Sequence, residues 1–168
     1  LTTGSLPRRL PAAIGGDLVG VYTVRTLADV DAMAPEFAPG RRVLIIGGGY
    51  IGLEAAAVAA RKGLSVTVVE MADRILQRVA SPQTSDFIRA AHLAEGVDIR
   101  EGVGLDHLIG AGRVKSAKLT DGNELALDFV IVGVGITPAI ALAEECGVDI
   151  DNGIKTDSQC RTSVPDIF

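Results

Sequence analysis

A glycine-rich turn framed by two apolar runs constrains this chain more than anything else in it. Val43–Ile46 leads into GGGYIGLE at Gly47–Glu54, and an alanine-rich segment follows. Val66–Val69 then ends on Glu70, eighteen residues past Gly52. Strand, tight turn, helix, strand and acid form the context in which G-x-G-x-x-G marks a dinucleotide-binding site. Each part has a physical task. Gly47 permits the tight turn. Gly49 has no side chain, so a pyrophosphate can approach the backbone. Gly52 lets the helix lie close to the strand. Tyr50 and Ile51 open that helix, whose free N–H groups and positive dipole end attract phosphates. Glu70 can accept hydrogen bonds from both hydroxyls of an adenosine ribose and would repel a 2′-phosphate. The pattern therefore favours NAD(H) over NADP(H).

A second glycine cluster follows another apolar run. Phe129–Val132 reads as a buried strand, and Gly133-Val134-Gly135-Ile136-Thr137-Pro138 comes directly after it. In open α/β sheets, ligands bind beyond the carboxyl ends of the strands. Gly133, Val134 and Gly135 are thus candidates to line the nicotinamide half of a dinucleotide. A plain strand-to-helix turn is the other reading. Glu54, placed on the first helical turn, can accept from a carboxamide NH2 or stand as a solvated acid. Arg74, four residues past Glu70, either helps fix the adenosine end or is a free surface arginine.

Composition excludes several classes. The chain has 168 residues, a size that suits one domain with a real core. A net charge of −5 gives no basic footprint for nucleic acid. Four Phe, two Tyr and no Trp make no stacking platform for single strands. No apolar run reaches the length of a membrane span and no leader is visible, so a cytoplasmic location is expected. Cys146 and Cys160 form no C-x-x-C pair, so a redox dithiol is not expected. Cys146 is read as a small buried hydrophobe near a helix end, and Cys160 as a surface thiol. His92 and His107 lack nearby ligand partners. No metal site is expected, and each reads as a surface or helix-packing residue.

The remaining elements follow from periodicity and punctuation. Leu1–Gly4 reads as the tail of a strand and turn, and Pro7, Pro11 and Gly15–Gly16 as a linker. Val19–Val24 is a short extended run. Thr26 predicts an N-cap for a helix to about Phe37, with Leu27, Val30 and Ala34 on one face. A helix from Tyr50 to Lys62 ends at Gly63. Ser65–Glu70 is a strand, and Ser81–Pro82 begins a helix to about Ala94. Val97–Arg100 is a further strand. Val103–Ile109, Arg113–Thr120 and Glu124–Ala126, separated by turn residues, predict an antiparallel meander. Pro138 is expected to begin a last helix to about Cys146, and Asp151–Phe168 to be mostly irregular. The fold class expected is α/β: a Rossmann-like three-layer domain with a parallel sheet plus a three-stranded antiparallel β-meander.

These residues resemble the NAD-binding domain of flavin-dependent pyridine nucleotide-disulfide oxidoreductases. Within that family the chain looks most like the NADH–ferredoxin reductases that serve oxygenases, such as the putidaredoxin and rhodocoxin reductases. The resemblance covers essentially the whole chain, including RTLADVDAM, VLIIGGGYIGLE, VTVVEMADRILQRVASPQTSDF, TDGNEL, VIVGVGITP and NGIKTDSQCRTSVPDIF. Arg74–Phe87 is the part that points to the ferredoxin-reductase branch. By this resemblance the parent binds FAD, takes a hydride from NADH and passes single electrons to a [2Fe–2S] ferredoxin.

The departures carry expectations of their own. The family's FAD domain is split around its NAD domain, and its first glycine fingerprint is not in this sequence. LTTGSLPRRLP resembles the end of the first FAD segment, and TSVPDIF the start of the return to the second. Residues 1–25 are therefore read as a remnant of that segment with a linker, 26–155 as the NAD(H)-binding domain, and 156–168 as a return linker. The FAD and C-terminal domains are expected to lie in cis outside this stretch. A piece of this kind should hold NADH at most and be catalytically silent, because the flavin carries the redox chemistry. No protein group is assigned a catalytic role. The same domain also suits another acceptor (a nitrite-reductase subunit, an NADH oxidase, a coenzyme-A disulfide reductase) or a non-enzymatic NADH sensor.

Overall fold

Near-continuous apolar runs suit strands covered on both faces, and here they build a parallel sheet. The computed structural model describes residues 1–168. The strands in chain order are β1 (Ser5–Pro7), β2 (Val21–Thr23), β3 (Arg42–Ile46), β4 (Ser65–Glu70), β5 (Asp98–Glu101), β6 (Leu105–Ala111), β7 (Arg113–Leu119), β8 (Glu124–Ala126), β9 (Phe129–Val132) and β10 (Ile136–Pro138). The helices are α1 (Leu27–Met33), α2 (Tyr50–Arg61), α3 (Pro82–Ala94) and α4 (Ala141–Glu145). The chain divides into a unit of Arg9–Val134 and a smaller unit of Leu1–Arg8 with Gly135–Phe168.

In the larger unit the parallel sheet has the order β2-β9-β3-β4-β5. The chain runs outward from β3 through α2, β4 and α3 to β5, then returns to place β9 on the other side of β3. The sheet's two directions of growth thus part between β3 and β9. Alternation along each strand divides the core. Val43, Ile45, Val66, Val68, Phe129 and Ile131 pack with Ala56 and Ala59 of α2 and with Met33. Leu44, Ile46, Val69, Val130 and Val132 pack with Leu108, Val114, Ala117 and Leu119 of the antiparallel β6-β7-β8 sheet. Helices on one face and the meander on the other give the expected three layers.

Local chemistry explains the boundaries. Thr26 and Asp29 form a capping box at the start of α1. Ser81 caps α3 by accepting from the Thr84 N–H, and Pro82 occupies its first turn. Gly52, Leu53, Ala56 and Ala59 are the buried residues of α2, a single face at helical spacing. Gly63 follows that helix with φ 80°. His92 ties α3 to α2, with one ring nitrogen 3.0 Å from the Ile88 carbonyl and the other 3.0 Å from that of Leu53.

Three local expectations are corrected. Leu27 and Val30 are exposed, and α1 instead buries Met33. The 3-10 turn Ala34–Glu36 that follows buries Glu36. That carboxylate accepts from Tyr22 Oη at 2.8 Å and from Arg113, and lies beside Arg41. Pro138 does not begin a helix. It ends β10, which pairs antiparallel with β1 in the smaller unit, and α4 starts at Ala141. Cys146 is exposed, as is Cys160.

Candidate functional site

The ends of β3, β4 and β9 lie level, because Ile46 is in register with both Val69 and Val132. The segments that leave these strands are Gly47–Gly49, Met71–Ala80 and Gly133–Val134. They emerge together at the carboxyl end of the sheet, where its two directions part. Open α/β sheets bind ligands at such a point.

Close approach governs the glycine turn. Gly47 has φ 108°, and a Cβ there would strike the Gly133 carbonyl oxygen. Its N–H donates to the Val69 carbonyl at 2.8 Å, and the Gly133 N–H donates to the Ile46 carbonyl at 2.8 Å. A Cβ on Gly52 would strike the Gly47 oxygen, so α2 can lie this near β3 only without one. Gly49 differs from both. A Cβ there would meet nothing within 4 Å, and its φ of −84° suits any residue. Nothing in the protein calls for glycine at position 49. A ligand lying on the backbone would.

The amino end of α2 lies directly beyond Gly49. Gly49 is the N-cap, and no side chain caps the first turn. Helix N–H groups left in this state carry the positive end of the dipole. Tyr50 and Ile51 are exposed there. The first turn contains no acid: Glu54 is the fifth residue of α2 and is exposed, a correction to its expected place.

Glu70 stands at the end of β4, half-buried. Its Oε2 accepts from the Gly48 N–H at 2.8 Å and its Oε1 from the Ala72 N–H at 2.8 Å. A carboxylate offers about four acceptor positions, so roughly one per oxygen stays free. Arg74 is half-buried rather than free. It donates to Ser85 Oγ at 2.6 Å and to the Gln77 carbonyl at 3.1 Å.

Gly133 and Val134 belong to the larger unit, close to Gly47. Gly135 belongs to the smaller one. Gly135 has φ 105°, and its carbonyl accepts from the Arg8 N–H at 3.0 Å. Gly48 escaped the sequence reading, although its signal was a third glycine where the fingerprint requires two. A Cβ there would lie 2.6 Å from Ile75 Cγ2. No group of three or more His, Cys, Asp or Glu residues could hold a metal. No helix is long and apolar enough to cross a membrane.

Comparison with known proteins identifies the family and the fold. The family model for pyridine nucleotide-disulphide oxidoreductases matches residues 1–168. The chain belongs to this family. A ferredoxin–NAD(P)(+) reductase of a Sphingomonas species is 46% identical over 166 residues, covering 98% of this chain and 40% of that protein. The putidaredoxin reductase in a covalent complex with putidaredoxin superposes with a TM-score of 0.91 at 37% identity, over 98% of this chain and 40% of that one. A water-forming NADH oxidase from Lactobacillus brevis, bound to NADH, gives a TM-score of 0.86 at 28% identity over 98% and 36%. The chain thus spans about 40% of the length of the reductases it matches. Members of this family are FAD- and NAD(P)H-dependent oxidoreductases.

Proposed function

We propose that this chain is the NADH-binding domain of a FAD-dependent NADH:ferredoxin oxidoreductase. Such an enzyme passes electrons from NADH through FAD to a [2Fe–2S] ferredoxin. The observation that carries the proposal is the pairing of an uncapped helix end beside open Gly49 with the half-free carboxylate of Glu70. In this reading the N–H groups of Gly49, Tyr50, Ile51 and Gly52 receive the pyrophosphate. The acceptor positions left on Glu70 suit the neighbouring hydroxyls of a ribose, and its charge opposes a 2′-phosphate. Arg74 keeps N–H groups for the adenosine end beyond the two it spends internally. Glu54 with Gly133 and Val134 flanks the nicotinamide.

NADH would supply the hydride, and the flavin would accept it. The larger unit, Arg9–Val134, is the nucleotide domain in this reading, while Leu1–Arg8 and Gly135–Phe168 lead in cis to the FAD-binding part of a cytoplasmic enzyme. Sequence identity favours the ferredoxin acceptor. The fold is shared with the NADH oxidase at 28% identity, whereas identity to the Sphingomonas ferredoxin reductase is 46%.

Calorimetric titration of the chain with NADH and with NADPH tests the site, with Gly49→Val as control. Selective NADH binding that the control loses supports the reading. Equal binding of both nucleotides removes the assignment of Glu70.

A further inference from the structure

The segment Arg74–Phe87 carries no residue of the glycine fingerprint, yet its first turn grips the centre of that loop. Gly48 is held from both sides. Its N–H goes to Glu70, and its carbonyl accepts from the Leu76 N–H at 2.9 Å. The buried Ile75 side chain fills the space where a Cβ on Gly48 would stand. Leu76 pays for this contact with a left-handed backbone, φ 55°. Such a conformation is unfavourable for a non-glycine residue and persists only where its surroundings over-determine it.

Those surroundings are specific. Ile75, next to the strained residue, has both backbone groups tied down by side chains. Its N–H donates to Glu101 Oε1 at 2.7 Å, and its carbonyl accepts from Ser85 Oγ at 2.7 Å. Ser85 is fully buried in α3, and its oxygen also receives Arg74. Glu101, at the end of β5, is locked by Arg89 through bonds of 2.7 and 2.9 Å. Ile75 and Leu76 pack with Leu53 in the first turn of α2. A continuous path of hydrogen bonds and packing therefore runs from α3 and β5 to Gly48.

We propose that Ser85 and Glu101 are positioning residues for the nucleotide loop. Through the Ile75–Leu76 turn they fix Gly48, and so set the direction in which the amino end of α2 presents its N–H groups to a pyrophosphate. The inference rests on the proposed NADH site for its ligand but not for its geometry.

Amide hydrogen exchange and NADH calorimetry on the 168-residue chain test it together. Ser85→Ala should speed exchange of the Gly48 and Leu76 amides and weaken NADH binding about tenfold, the scale of one lost support. Glu101→Gln, which keeps an acceptor for Ile75 but loses the charge, should act in the same direction and decides the matter if Ser85→Ala fails to fold. Ser81→Ala is the control, because it removes the cap of the same helix without touching Ile75. It should lower stability and leave both readouts alone. Unchanged exchange at Gly48 and Leu76 in the first two variants would overturn the proposal, as would an equal change in Ser81→Ala. Failure of the unmodified chain to bind NADH would count against the site alone, and the exchange comparison would still decide the brace.

Discussion

Glu70 Oε2 accepts the Gly48 N–H at 2.8 Å, so the acid that ends the second strand of the motif is bonded to the middle of the glycine turn that follows the first. The two parts of the fingerprint are physically joined. Eighteen residues separate Gly52 from Glu70 in sequence, and the parallel register of β3 on β4 brings the turn and the acid together. Glu70 thereby orders the loop, and in the proposed site it has a second task, offering acceptors to a ribose.

Replacement of Glu70 should therefore affect fold and ligand together. Glu70→Ala deprives the Gly48 and Ala72 N–H groups of their acceptor and should cost about 1–3 kcal/mol of stability. NADH affinity should fall at least about tenfold, since one lost hydrogen bond to a charged group is of that size. Glu70→Gln keeps one carbonyl acceptor and should fall between. Urea denaturation and calorimetry read the two effects separately. A Glu70→Ala protein of unchanged stability would show that the carboxylate does not hold the loop.

Gly49 and Gly52 should separate in the opposite way. Gly49→Val places its side chain in open space at an extended backbone, so the loss of stability should stay below about 1 kcal/mol. NADH binding should disappear, because the side chain occupies the approach of the phosphates. Gly52→Ala drives a methyl group into the Gly47 carbonyl and should destabilise the fold by about 1–3 kcal/mol. Thermal melts of both variants with and without NADH give the comparison. A strongly destabilised Gly49→Val would mean that the protein itself requires this glycine.

Much of this architecture is legible in the sequence because its signals are local. β4 spans Ser65–Glu70 and α3 spans Pro82–Ala94, as read, since apolar runs and capping residues act within a few positions. The meander and the glycine turn were legible for the same reason. The brace on Gly48 was not, because Ser85, Glu101 and Leu76 meet only through tertiary packing. β10 escaped because a three-residue strand has no period, and its partner β1 lies at the other end of the chain. The face of α1 is not legible either, because the helix has only seven residues and buries Met33 alone, and the 3-10 turn after it buries a carboxylate. No spacing rule foretells that Glu36 finds Arg113, 77 residues away.

Helix α1 offers a direct check of that correction. Leu27→Gln and Val30→Gln replace exposed side chains and should change stability by no more than about 0.5 kcal/mol each. Met33→Ala removes a buried side chain and should cost about 2–5 kcal/mol. Equilibrium denaturation of the three variants checks this. A large loss in Leu27→Gln would restore the apolar face first expected from the spacing.

The Glu36 cluster should make stability depend on pH in a defined direction. Burial pushes the Glu36 carboxyl up, but hydrogen bonds from Arg113 and Tyr22 and the charges of Arg41 and Arg113 outweigh it. The folded value therefore lies below the ordinary carboxylate range. A depressed folded value means that the stabilisation is present above the unfolded value, about 4.3, and is lost as pH falls through the folded one. Glu36→Gln lacks this titration. At pH 7 it should be less stable by about 2 kcal/mol, the scale of hydrogen bonds to a charged group. Asp29, Asp121, Asp128 and Asp157 are also held low. They are common to both proteins, so their titrations cancel in the difference. The gap between the two proteins should be constant from pH 7 to about 5 and close below about 4. Guanidinium denaturation at a series of pH values measures it, and a gap that widens toward acid would show that burial, not the arginines, sets the state of Glu36.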